Sequence, residues 1–223
     1  MCQPPSAVND SAIPALTVRP HPDIPLWTDA QRQASLDQAL ARMPPGGVWV
    51  FGYGSLIWRP DFEYAERRLA TLHGHHRALC LWSREHRGTP DCPGLVFGLD
   101  RGGSCRGVVY RLDDAELDVI MPKLWIREMT TGSYVPRWLN CVTEQGPVQA
   151  LVFVMNRDGP GYVGELPLQE QLAIIRRAAG GYGPCTDYVL ETARALQIAG
   201  ICDTRLQTLV QALREDLHKL PEG

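Results

Sequence analysis

The run Val48-Trp49-Val50-Phe51-Gly52-Tyr53-Gly54-Ser55-Leu56 sends a β-rich apolar segment straight into two glycines that bracket an aromatic residue. Val48–Phe51 is too short and too close to glycine for a helix, so it reads as a strand. Glycines at 52 and 54 permit close backbone approach and let several N–H groups converge on one point. A carboxylate or a phosphate is the natural guest of such a concavity. The same glycines equally suit a β-bulge or a tight bend. A dinucleotide-binding fingerprint fits poorly, because Ile57 stands where the third glycine belongs and Pro60 and the strand-like text after it open no helix.

Downstream of this run the text stays strand-like to Val154. Leu69–Leu72, Ala78–Trp82, Leu95–Leu99 and Arg106–Leu112 are predicted strands, with turns at Gly88–Gly94 and Arg101–Ser104. Asp113 caps a predicted helix with Glu116 at its third position, and Pro122 is expected to kink or shorten it. Tyr134–Val142 and Val148–Met155 return to strand across a hairpin turn at Glu144-Gln145-Gly146. Three helices follow: one from Pro167 to a stop at Gly180-Gly181, then Thr186–Ile198 and Asp203–Leu217. Upstream, Thr28-Asp29-Ala30-Gln31 is a capping box opening a helix that Pro44-Pro45-Gly46-Gly47 ends. Eight of the 18 prolines lie in the first 45 residues, so residues 1–27 are expected to form an extended arm. The expected organisation is a Pro-rich arm with one short helix, residues 1–45, and one domain of α+β class, residues 46–223.

Composition sets the outer bounds. A chain of 223 residues with 44% hydrophobic and 21% charged residues is globular rather than disordered or fibrous. A net charge of −3 argues against nucleic acid as a partner. The longest apolar run, Ala150–Met155, reaches six residues, far short of the ~20 needed to span a membrane, and no secretory signal is readable. Seven cysteines at long, irregular spacings match neither a zinc site nor a redox pair, which leads to the expectation of reduced thiols and a cytoplasmic protein. No oligomeric state is readable from it.

Three clusters stand out as candidates for chemistry. Glu128 follows the apolar text Leu124-Trp125-Ile126, where a carboxylate is costly unless exposed, paired or used. Desolvation would raise its pKa toward values useful for proton transfer; pairing with a nearby Arg, or simple solvation at a helix end, is the alternative. His73 and His75 fall on one side of a predicted strand and His76 on the other, too few ligands for a metal site, and no metal is expected. Ser83-Arg84-Glu85-His86-Arg87-Gly88-Thr89-Pro90 is either a substrate-facing loop or a solvated hairpin. No nucleophile elbow, zinc-protease helix or phosphate-binding loop occurs.

Taken together, Trp49 through Trp58 closely resemble the signature of the ChaC-type γ-glutamylcyclotransferases. His86-Arg87-Gly88-Thr89-Pro90, Pro93-Gly94, Arg106 through Arg111, Trp125 through Trp138 and Asp187-Tyr188-Val189-Leu190 resemble that family's other motifs in the family's order. The resemblance covers about residues 48–215. It implies a single mixed sheet or small barrel flanked by helices. It also implies cofactor-free cleavage of glutathione into 5-oxoproline and Cys-Gly. On this resemblance Glu128 is the general acid/base, and Val50, Phe51, Gly52, Tyr53, Gly54, Ser55 and Leu56 bind the γ-glutamyl group. Tyr134 corresponds to a tyrosine near the site, but it stands six residues after Glu128, whereas the eukaryotic spelling Arg-Glu-x-Gly-Gly-Tyr is shorter. Two alternatives keep the resemblance: a cyclotransferase for other γ-glutamyl amino acids or amines, and a non-catalytic γ-glutamyl-binding module.

Overall fold

Val48 to Phe51 shows no polar alternation because it is buried on both faces. Trp49 and Phe51 enter one apolar cluster while Val48 and Val50 enter another. In the computed structural model, which describes residues 23–217, this segment is strand β1, Trp49–Gly52. It pairs antiparallel with β3, Gly94–Arg111, and parallel with β5, Gly146–Met155. Strand β2, Glu66–Ser83, pairs with β3 and with β4, Tyr134–Thr143, and β4 pairs with β5. The order β1-β3-β2-β4-β5 closes a barrel, the small-barrel form of the α+β expectation.

Two sequence expectations are corrected in the sheet. The strands expected at Leu69–Leu72 and Ala78–Trp82 are one 18-residue strand, β2, and those at Leu95–Leu99 and Arg106–Leu112 are likewise one, β3. No turn occurs at Arg101–Ser104. The register passes from His73 opposite Ser104 to His75 opposite Arg101, so Gly74 faces both Gly102 and Gly103. All three glycines have positive φ; they accommodate a bulge within a continuing ladder rather than a reversal of the chain. Positive φ at Gly74 also interrupts the alternation assumed for His73 and His75. The hairpin at Glu144-Gln145 forms as expected, with Thr143 opposite Gly146.

The helices cover the barrel. Helix α1, Asp29–Leu40, starts at the expected capping box: Gln31 N–H donates to Thr28 Oγ1 at 3.3 Å, and Thr28 N–H donates to Gln31 Oε1 at 2.9 Å. Its Leu36 and Ala39 share an apolar cluster with Ile120, Met121, Leu124 and Trp125 of α2, Leu117–Glu128. Asp113 caps a 3-10 turn, Asp114–Glu116, through Ala115 N–H. Glu116 makes no capping contact, so the box expected there is half formed. Helix α2 runs six residues past Pro122, contrary to the expected shortening. The carbonyl that Pro122 cannot serve belongs to Asp118, an exposed residue, where water can take it. Helices α3, Leu168–Arg177, α4, Cys185–Ile198, and α5, Thr204–Leu217, pack on the other cluster. Helix α3 stops before Gly180 because Ala179–Gly180 (β6) pairs with Gly183–Pro184 (β7). Residues 23–28 carry no helix or strand; the remainder of the expected arm, residues 1–22, lies outside the described residues.

Candidate active site

Strands β1, β2 and β5 end, and β3 and β4 begin, at the same end of the barrel, and a cavity of about 490 Å³ opens there. This lies within the range of small-molecule sites. Ser55, Glu128 and Tyr134 line it. Val50, Phe51 and Leu56 are buried behind it, with Gly52 in the same strand, and none of these four lines the wall. Tyr53 and Gly54 likewise stand behind the wall, and they fix its shape.

The segment after β1 is held by its carbonyls. Tyr53 O accepts from buried Arg77 Nε at 2.5 Å, and Arg77 is itself paired with Asp203. Gly54 O accepts from Ile57 N–H, and Ser55 O from Trp58 and Arg59 N–H. Leu56 O and Ile57 O both accept from Tyr110 hydroxyl, at 3.0 and 3.3 Å. With its carbonyls turned to the protein, this stretch is left to meet a guest with N–H groups and the Ser55 hydroxyl. A Cβ on Gly54 would stand 3.3 Å from Tyr188 hydroxyl, so glycine permits the close approach.

Glu128 is the last residue of α2, with a side chain only 14% exposed. Its burial pushes the carboxyl above the usual glutamate range, and Arg127 opposes the shift with Nε 3.1 Å from Oε1. The negative end of the helix dipole lies beside it and also disfavours the anion. Arg127 then ties this carboxylate to the barrel end. Its Nη2 donates to Ser55 Oγ at 3.0 Å, and its Nη1 donates to Pro60 O at 3.2 Å and Asp61 Oδ2 at 2.9 Å.

Three tyrosines surround the carboxylate from other elements. Tyr53 hydroxyl donates to Phe153 O at 3.1 Å, and Tyr134 hydroxyl donates to Phe97 O at 3.1 Å. Tyr188 hydroxyl, from α4, accepts from Phe97 N–H at 3.1 Å. All three phenols are raised above the ordinary tyrosine value, first by burial and then by neighbours that include Glu128. They remain neutral donors across the pH range in which a carboxylate works.

Of the Ser83–Pro90 stretch, Ser83, Arg84, Glu85, His86 and Arg87 line the cavity, while Thr89 and Pro90 are exposed. His86 stacks on Tyr182 with ring centres 4.6 Å apart. Five cationic side chains against three carboxylates line the cavity, which favours an anionic guest. Arg127 and Tyr188, which line the cavity, and Arg77, which holds the stretch after β1, are not singled out by reading the sequence residue by residue: the first two fall inside motifs whose other residues draw the eye, and Arg77 carries no local signal. Among the described residues no group of three His, Cys, Asp or Glu side chains is arranged to hold a metal ion.

A closed barrel with a desolvated carboxylate in a cationic cavity at its end is the arrangement of a proton-transferring enzyme. The chain belongs to the ChaC-like protein family, whose model matches residues 48–216. It is 38% identical over 201 residues to the glutathione-specific γ-glutamylcyclotransferase of Escherichia coli K12, covering 89% of this chain and 87% of that one. It is 30% identical over 215 residues to the mouse glutathione-specific γ-glutamylcyclotransferase 1, covering 93% and 91%. The fold matches the crystal structure of a yeast γ-glutamyl cyclotransferase specific to glutathione, with a TM-score of 0.71 over 76% of this chain and 96% of that one, at 22% identity.

Proposed function

We propose that this protein is a glutathione-specific γ-glutamylcyclotransferase that converts glutathione to 5-oxoproline and Cys-Gly, with Glu128 as general acid/base. The observation that carries the residue assignment is Glu128 itself: a carboxylate desolvated at the cavity and held there by Arg127, which also grips Ser55. The activity is that of the curated relatives named above.

The substrate supplies its own nucleophile. Its α-amine arrives as an ammonium, gives one proton to the Glu128 carboxylate and attacks its own γ-amide carbon. The new C–N bond closes a five-membered lactam. The amide C–N bond then breaks as the proton held by Glu128 passes to the departing nitrogen, and the regenerated carboxylate takes the second proton of the ring nitrogen, leaving a neutral lactam, and hands it to the Cys-Gly amine, which leaves as an ammonium. Intramolecular attack of this kind reaches effective molarities of roughly 10⁵–10⁸ M when well oriented, so orientation is the main task of the site. Ser55, the residue of the stretch after β1 that lines the cavity, offers its N–H and hydroxyl to the α-carboxylate, while Tyr53 and Gly54 behind it hold the turn in place through their engaged carbonyls. The neutral hydroxyl of Tyr134, which donates to Phe97 O in the free protein, turns to donate to the developing oxyanion.

The setting we assign is cytoplasmic, supported by the six described cysteines, all of which are free thiols. None of the described helices is long and apolar enough to cross a membrane. Glu128→Gln keeps shape and hydrogen-bonding capacity but cannot accept the proton. Release of 5-oxoproline from glutathione should fall by roughly 10²–10⁴-fold with the fold intact, the usual worth of a general base. A well-folded E128Q protein with undiminished turnover would remove Glu128 from its role.

A further inference from the structure

The cavity has one wall that comes from outside the stretch matched by the family model. Ile24 and Leu26 line it, whereas the match begins at residue 48. Residues 23–27 are fastened at both ends. Asp23 Oδ1 accepts from Arg84 Nη1 at 2.9 Å, and Trp27 N–H donates to Thr130 O at 2.7 Å. The Trp27 ring packs so tightly on Gly132 that a Cβ there would come within 2.3 Å of it. The segment therefore crosses the cavity mouth from the residue after β2 to the α2–β4 connection, two residues beyond Glu128.

The chemistry of this wall differs from the rest. The γ-glutamyl end of the substrate carries an ammonium and a carboxylate, and its partners are Glu128 and the stretch after β1. The side chains of Ile24 and Leu26 offer neither charge nor hydrogen bonds, and they suit the part of the substrate beyond the scissile amide, where glutathione carries a CH2–SH side chain. Arg84, paired with Asp23, also lines the cavity and presents a cation to the terminal glycine carboxylate. We infer that residues 23–27 form the leaving-group wall of the site, and that Ile24 and Leu26 are specificity-determining residues for the Cys-Gly half of glutathione. This rests on the cyclotransferase reading above.

The test compares glutathione with γ-glutamyl-alanine, whose leaving group lacks both the sulfur and the glycine, using full-length protein. Ile24→Ser/Leu26→Ser should raise KM for glutathione roughly fivefold or more with kcat within about twofold, and leave the inhibition constant of γ-glutamyl-alanine against glutathione turnover almost unchanged. Leu26 is 58% exposed, so Leu26→Ser alone carries the same test without threatening the fold. Trp27→Ala, which frees the segment without altering the lining, should act in the same direction. Equal losses for both compounds, or no change for either, would overturn the wall while leaving the activity standing. If unmodified protein releases 5-oxoproline from neither substrate, the cyclotransferase reading falls and this inference with it.

Discussion

Glu128 and Arg127 are sequence neighbours with opposed effects on one proton. Burial holds the Glu128 carboxyl above its usual range while Arg127 pulls it down. Proton uptake by a general base requires the ionised form, so the acidic limb of kcat/KM should lie above the ordinary glutamate range. Arg127→Met removes the opposing cation. The limb should then move to still higher pH, and KM should rise as Ser55 and the 59–61 loop lose their tie; a pH–rate profile with 5-oxoproline detection reads both. The carboxylate was legible in the sequence because its apolar context made it costly. The partner was not, because an arginine beside a glutamate looks the same whether it is solvated or anchored to residues up to 72 positions away.

Helix α2 is the element that delivers the site, and Trp125 is its fastener. The side chain is 1% exposed, lies edge-on to Phe153 of β5 with ring centres 5.4 Å apart, and donates from Nε1 to Ser35 Oγ of α1 at 3.2 Å. Trp125→Ala should cost about 3–5 kcal/mol in denaturant melts and depress turnover by loosening the helix three residues before Glu128. Elements with a strong local cause were legible: the Thr28 capping box, the Glu144-Gln145 turn and the doubly buried β1. The errors share a different cause. Gly102-Gly103 and Pro122 are strong local breakers, but the long pairing of β2 with β3 and the packing of α2 on the barrel override them. A two-residue glycine bulge and a glycine turn have the same spelling, and only the partner strand tells them apart.

At the scale of the whole chain, burial governs four of the thiols. The thiols of Cys80 and Cys141 are pushed up to about 12 and those of Cys105 and Cys185 to about 11, all by desolvation first. At pH 8 these four stay protonated and shielded, so among the described cysteines iodoacetamide should modify exposed Cys202 and half-buried Cys92 first. Turnover should survive, because no described cysteine lines the cavity; mass spectrometry paired with the activity assay checks both. Glu128 also sets a stability gradient. Its folded pKa is raised above the unfolded value, so its contribution is fully present below the ordinary glutamate range and is lost as pH rises through the folded value. E128Q has no such loss, so its Tm should equal the parent's in acid and exceed it at pH 8. Finally, the parallel seam between β1 and β5 joins Val50 to Leu151, 101 positions further along the chain. During synthesis β1 emerges first, yet this edge has nothing to zip to until about two thirds of the polypeptide has left the ribosome. The β2–β3 and β4–β5 hairpins form from nearby residues and need no such delay. The strand that leads into the catalytic end is thus the first strand made, and although β3 can take one of its edges early, the other is closed only by the last strand of the barrel.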